Sequence, residues 1–322
     1  MKQSKIAVLV LYFGSLPSFF WAWLETAKAN KTIDFFILTD DGRIASTDNV
    51  HVIPMSFDEV RKKIADHFDF DISLESPYKL CDFKPAYGVV FADLLDGYEW
   101  WGYCDVDLLL GDVRGFFTER VLGECDRCQY LGHLSIFRNT EAVNNVVKVQ
   151  GEYPDLNYQD VFATGDAMYF DEYRGMYEKC LVSGIRTHFE PEWRNPVDDR
   201  DEFYTPDGRK YVVVWEDGHL FDVSEDGDRK EILYAHFFRR AFDVGDIPGD
   251  IHQIKVVPHS VIFNGGGVVQ SDFNHPDAFF KIKWEFAKLR RNRYGLFKLF
   301  KRAKWSKDSD HHIQKLRTLY ED

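Results

Sequence analysis

Glu99-Trp100-Trp101-Gly102-Tyr103-Cys104-Asp105-Val106-Asp107-Leu108-Leu109-Leu110-Gly111-Asp112 is an aromatic-rich apolar run that stops at two carboxylates one residue apart, then resumes as a leucine run ending in glycine. Read as a strand, it sets Asp105 and Asp107 on one face, because side chains alternate with period two. Two like charges on one face repel unless a cation sits between them. An oxygen-rich pair of this kind suits Mg²⁺ or Mn²⁺, which bind a few carboxylates and finish their shell with water or substrate phosphate. A solvated turn can also carry D-x-D, but it has no reason to be clamped by greasy residues on both sides. The flanks therefore favour a metal–diphosphate site.

Upstream, residues 5–14 form a continuous apolar run closed by Gly14, the pattern of a strand covered on both faces. Ser15-Leu16-Pro17 starts a helix over 19–30, and 33–38 is a second strand ending at Thr39-Asp40-Asp41-Gly42. A short strand at 51–54 and a helix from Ser56 to about His67 complete a β-α-β-β-α order. That order belongs to an α/β sheet whose strand ends gather polar groups, so ligands are expected near Tyr12, Phe13 and Asp40. In 78–88, Lys79, Asp82 and Lys84 lie at a helix start, where they suit a nucleotide's ribose and phosphates. A surface helix entry with Pro85 in its first turn explains the same residues.

Downstream, the pattern predicts a helix over 114–122, a strand over 129–139 and a helix over 140–150 capped by Thr140 or Asn139. Asp171 and Glu172 stand between aromatics, either as a general base or as an acidic helix N-terminus. Asp-Gly turns at 207–208, 217–218 and 226–227 mark a β-meander with strands at 211–215, 219–223 and 232–238, and 251–263 holds further short strands. His236 lies in the last meander strand, where by itself it reads as a core residue.

The net charge of −13 argues against nucleic acid as a partner. It conceals an asymmetry: residues 281–307 carry eleven basic side chains against one acid, so the rest stands at −23. The 278–305 stretch interleaves those cations with Phe, Trp, Tyr, Leu and Ile, a composition suited to an amphipathic helix on an anionic membrane surface. A basic helix packed on an acidic protein surface is the alternative. The five cysteines are an odd number without a disulfide framework, and Cys125-Asp-Arg-Cys128 suits half a zinc site or a redox pair but, with no second pair or nearby His, reads first as free thiols. No apolar run reaches spanning length, so a cytoplasmic protein, peripherally attached to the inner face of the plasma membrane by its tail, is expected. One domain over 1–277 and a tail over 278–322 is the simplest division.

Taken together, the 5–14 opening, the 78–88 stretch, Tyr103-Cys104-Asp105-Val106-Asp107, Gly132-His133, Phe170-Asp171-Glu172 and Tyr234-Ala235-His236-Phe237 resemble a metal-dependent GT-A-type glycosyltransferase of bacterial capsule, O-antigen or other surface-polysaccharide synthesis. The resemblance implies a Rossmann-like mixed α/β sheet with flanking helices and a small β-meander insertion. Residues 1–125 would bind the nucleotide and 126–277 the acceptor. It further implies that Asp105, Asp107 and His236 hold Mn²⁺ or Mg²⁺ against the diphosphate of a UDP-sugar, Asp105 also lying near the ribose. Tyr12, Phe13 and Asp40 would bind uracil and ribose, with Lys79, Asp82 and Lys84 nearby. His133, Trp193, Asp171 and Glu172 would face the acceptor, a polyprenyl-diphosphate-linked oligosaccharide, and Asp171 or Glu172 would deprotonate it in an inverting reaction.

Two other readings compete. Asp105-Val106-Asp107-Leu108-Leu109 also resembles the nucleophile motif of haloacid-dehalogenase-type phosphatases, with Gly245-Asp246-Ile247-Pro248-Gly249-Asp250 as a late acidic motif. A non-catalytic peripheral membrane scaffold is the third.

Overall fold

The computed structural model describes residues 3–150, 156–196, 202–205, 208–237 and 242–273, with Tyr173 and Arg174 described by their backbone alone. In chain order these form β1 (Ile6–Leu11), α1 (Phe20–Ala29), β2 (Ile33–Thr39), β3 (Val50–Pro54), α2 (Phe57–His67), α3 (Leu80–Phe83), α4 (Tyr87–Val90), β4 (Trp100–Cys104), β5 (Leu108–Leu110), α5 (Val113–Phe116), α6 (Glu119–Glu124), β6 (Arg127–Leu131) and β7 (Leu134–Arg138). There follow α7 (Glu141–Asn144), α8 (Tyr158–Ala163), α9 (Glu178–Val182), β8 (Thr187–His188), β9 (Trp193–Arg194), β10 (Tyr211–Glu216), β11 (His219–Ser224), β12 (Arg229–Glu231), β13 (Tyr234–His236), β14 (Asp243–Val244), β15 (Gln253–Val257) and β16 (Ser260–Phe263).

The fold is the mixed α/β architecture expected, built on a seven-stranded sheet ordered β3-β2-β1-β4-β7-β6-β8. β1 pairs in parallel with both β2 and β4, whereas β7 runs antiparallel to β4. Alternation along β1 divides the core in two. Ile6, Val8 and Val10 pack with Phe20, Trp23, Leu24 and Ala27 of α1, while Ala7 and Leu9 pack with Val60 and Ile64 of α2. Apolar residues on both faces are what a central parallel strand requires. Ser56 caps α2 through a reciprocal capping box with Glu59.

Several boundaries depart from the sequence reading for local reasons. The 129–139 stretch is the β6–β7 hairpin, folded at the two-residue turn Gly132-His133. The 114–122 helix divides in two: Asp112 caps α5 by accepting from Gly115 N, and Thr118 caps α6 by accepting from Val121 N. After Thr140, which caps α7, the chain tightens into a 3₁₀ turn at Asn145–Lys148.

The meander is larger than the sequence implied. β10 and β11, turned at Asp217-Gly218 with both residues at positive φ, belong to a six-stranded sheet ordered β12-β11-β10-β15-β16-β14. Its expected third strand, 232–238, does not stay with it. β12 takes that edge, and the chain passes on at Ile232-Leu233 so that β13 pairs antiparallel with β5 and parallel with β9. This exchange carries His236 to the aspartate segment.

Among the described residues no helix is long and apolar enough to cross a membrane. The tail at 278–322, and with it the division at 277, lies outside the described residues.

Candidate metal centre and active site

β4 ends at Cys104 and β5 begins at Leu108, so Asp105 and Asp107 occupy a bend between strands instead of sharing one strand face. Their convergence comes from two backbone ties. Asp105 N donates to His133 O at 2.9 Å, and Phe237 N donates to Asp107 O at 2.8 Å. The register of β13 sets His236 opposite Leu108, beside Asp107. One ligand atom from each of Asp105, Asp107 and His236 then lies within 4.8 Å of the others.

The position is the one that topology favours. In the order β3-β2-β1-β4 the chain reverses direction of spread between β1 and β4, and a crevice opens beyond the carboxyl ends of such strands. Asp105 follows β4, and Tyr12 follows β1.

His236 is buried, and its Nδ1 lies 3.1 Å from Asn195 Oδ1. With Nδ1–H donating to that oxygen, Nε2 faces Asp107 Oδ1 at 3.5 Å, as a donor to the carboxylate when protonated and as a ligand atom when a cation takes the proton's place. The ring is walled by aromatics. His133 stacks on it at 3.7 Å between centroids, Trp193 meets His133 edge-on at 5.7 Å, and Tyr234 stacks on Trp193 at 5.4 Å. Burial, with His236 and Lys84 adding to it, holds the His133 imidazole well below its usual range, so it is neutral. His133 and Trp193 thus support His236 as well as bordering the site.

Lys84 bridges the two acidic groups. Its Nζ donates to Asp105 Oδ1 at 2.6 Å, Asp171 Oδ2 at 3.0 Å and Gly132 O at 3.0 Å. Burial pulls this ammonium down, but the two carboxylates outweigh it and leave it well above its usual range. Gly132 is a steric requirement here, since a Cβ on it would sit 2.3 Å from Asp171 Oδ2. Burial, reinforced by the Asp105 charge, pushes Asp171 up to about 6 despite Lys84. Burial and the adjacent Asp171 push Glu172 up to about 7. Of the aspartate pair, Asp105 is raised by burial and by Asp107 against the pull of Lys84, whereas His236 overcomes burial to hold Asp107 low.

Three expected ligand contacts change role. Lys79 and Asp82 are sealed in the interior, at 2% and 0% exposure. Lys79 Nζ donates to Asp82 Oδ2, Val161 O and Asp166 O, while Asp82 accepts from Met168 N and Phe170 N. Neither can touch a nucleotide, and together they anchor the segment that presents Asp171. Phe13 is buried against Phe57, so its ring is a core element and not a base-stacking platform. Tyr12 and Asp40 remain at the surface side. Burial and then Asp107 raise the Tyr12 hydroxyl. Exposed Asp40 accepts from Gly14 N and lines a cavity of about 400 Å³ with Thr39, Ser56 and Glu59.

The late acids of the phosphatase-like reading, Asp246 and Asp250, are exposed, and it is His236 that completes the acidic cluster. Sequence reasoning missed Asn195 and Tyr234. Tyr234 was accessible, because it shares a strand face with His236; nothing in the local pattern marks Asn195.

A mixed α/β fold with a carboxylate–carboxylate–imidazole cluster at its switch point is the class of molecule described. The chain belongs to DUF6625, a family of unknown function whose model matches residues 8–264. No curated protein matches it. The solved structures similar to it include glycosyltransferases. One is the galactosyltransferase LgtC in complex with donor and acceptor sugar analogs, at 9% identity over 59% of this chain and 76% of that one, TM-score 0.34. Others are an active-site mutant of LgtC, at 9% over 73% and 88%, TM-score 0.35, and GlyE of Streptococcus pneumoniae TIGR4, at 12% over 59% and 46%, TM-score 0.32. Likeness at this level sets no residue of this chain opposite one of theirs, and the chemistry of the site rests on its own side chains.

Proposed function

We propose that this protein transfers a glycosyl group from a UDP-sugar to a hydroxyl of a lipid-linked oligosaccharide in surface-polysaccharide synthesis. The convergence of Asp105, Asp107 and His236 at the switch point of the sheet carries the reading. Two carboxylates and an imidazole fit Mn²⁺ or Mg²⁺. Bound there, the cation would act as a Lewis acid for the charge that develops on the diphosphate.

The chain's own residues supply the rest. Asn195 holds the His236 tautomer that leaves Nε2 available. Tyr12 and Asp40, at the ends of β1 and β2, border the nucleoside. Glu172, with its carboxyl raised to about 7, can accept the acceptor's proton near neutral pH, as an inverting attack requires, while Asp171, buried beside it on Lys84, helps to raise it. Lys84 keeps Asp171 ionised and oriented. The basic aromatic tail at 278–307 supports attachment to the anionic membrane where a polyprenyl-linked acceptor resides.

Calorimetric titration of UDP into the full-length protein, with Mn²⁺ or with EDTA, tests the proposal together with UDP release from a panel of UDP-sugars. Binding and release are expected only with the metal, and both should vanish in Asp105→Ala and Asp107→Ala. Nucleotide binding indifferent to chelator and to both substitutions overturns it.

A further inference from the structure

Cys125 and Cys128 take no part in that site, yet their sulfurs lie 3.5 Å apart. Cys125 follows the last residue of α6 and Cys128 lies in β6, on the strand that leads to the Gly132-His133 turn. Both are buried, with Cys128 fully enclosed and Cys125 retaining 4% exposure.

The backbone between them is clamped from two sides. Arg138 donates through Nη2 to the carbonyls of Leu122 and Cys125 and through Nε to Asp126 Oδ1. Arg186 grips the same carboxylate through Nε and Nη2 at 2.8 Å each, and its carbonyl accepts from the N–H groups of Asp126 and Arg127. A sulfur–sulfur bond is about 2.05 Å, so closure needs the two atoms to approach by roughly 1.5 Å.

Two other roles fit less well. A zinc site needs further ligands, and among the described residues no His, Asp or Glu joins these sulfurs in a metal-binding cluster. A structural staple gains most by closing a long loop, whereas this ring would span four residues, on a strand already paired to β7 and β8.

We propose that Cys125 and Cys128 form a reversible dithiol–disulfide pair, oxidised by a small disulfide of the glutathione type, with Cys125 the attacking sulfur. The Cys125 thiolate attacks one sulfur of the oxidant, whose S–S bond breaks and releases one thiolate. Cys128 gives its proton to solvent and attacks Cys125 Sγ in the mixed disulfide, expelling the second thiolate. Two protein thiols are oxidised and one disulfide is reduced to two thiols. The hydrogen bond from Cys128, helped by the Arg138 guanidinium, holds the Cys125 thiol below its usual range, while Cys128 is pushed well up. That ordering suits an attacking and a resolving sulfur.

The test equilibrates native full-length protein in graded mixtures of reduced and oxidised glutathione, quenches with acid, alkylates with N-ethylmaleimide and maps peptides by mass spectrometry. A single Cys125–Cys128 crosslink is expected, reversed by excess reduced glutathione, with Cys81, Cys104 and Cys180 alkylated throughout. Cys128→Ser should stop at a glutathione adduct on Cys125. Three results overturn the proposal: both cysteines alkylated even in the most oxidising mixture, a wild-type adduct that never closes, or a crosslink through another cysteine. The wild-type map decides the matter whether or not the variant folds, and it is independent of the glycosyltransferase reading.

Discussion

Two lysines five positions apart make buried ion pairs of different kinds. Lys79 and Asp82 satisfy each other inside the protein, with three acceptors around the ammonium and two backbone donors on the carboxylate. Lys84 also has three acceptors, but one of them, Asp105, keeps 31% of its side chain exposed. The first pair is a closed joint. The second ends at a carboxylate that is still partly exposed, the property that the proposed ligand site needs and a packing element built of the same residue types lacks.

The largest effect expected is on the closed joint. Lys79→Ala leaves Asp82 as an uncompensated buried charge and should cost about 3–5 kcal/mol in urea unfolding. Its folded fraction should keep its Mn²⁺-dependent affinity for UDP. A loss below about 1 kcal/mol would show that the joint is not what holds the Asp171 segment.

At the open site the balance reverses. Asp107→Asn should lower UDP-sugar turnover by about 10²–10³-fold, the range for losing one electrostatic stabiliser of a transition state. Its unfolding midpoint should stay near wild type, since the change is isosteric and partly exposed. Equal losses of stability and turnover would erase the distinction between the two regions.

Lys84→Met sharpens the comparison further. In the proposed site Lys84 would compete with a cation for Asp105, so its removal should tighten Mn²⁺ binding, by about tenfold if the charges interact through an intermediate dielectric. Turnover should fall, because Asp171 loses its partner. Weaker Mn²⁺ binding, read by calorimetry, would mean that Lys84 organises the ligands and does not compete with the metal.

The aspartates were legible in the sequence because a polar pair interrupted an apolar strand pattern, and the parallel β1, β2 and β3 were legible from their runs and turns. His236 was legible as a strand residue, but its delivery to Asp107 depended on β13 leaving the meander for β5, a non-local pairing that periodicity does not encode. Lys79 and Lys84 look alike in sequence. Only the surrounding carbonyls and amides, contributed from 132 and from 161–170, decide which is sealed. The Gly132-His133 turn was hidden inside a run read as one strand, because glycine is needed there for the close approach of Asp171, a contact made from far along the chain, and not for a positive φ.

The last effect expected, the smallest per pH unit, concerns Glu172 and has opposite signs for stability and for turnover. In the unfolded chain its carboxyl titrates near about 4.3; in the fold, burial and then Asp171 raise it to about 7. Between those values the folded state holds a proton that the unfolded state has released. Stability is therefore greatest at the acid end of this window and falls as pH rises through it, by at most about 1.4 kcal/mol per pH unit and less for a partly exposed side chain. Asp171, raised to about 6, adds a slope of the same sign. Urea unfolding of the metal-free protein at pH 5 and pH 7.5 should show the decline, and Glu172→Gln should flatten it. Turnover should instead rise with pH through about 7, because a general base works only when deprotonated, and the glutamine variant should lose that rise. If the stability profiles of wild type and variant coincide, Glu172 is ordinarily acidic in the fold and its assignment as the proposed base fails.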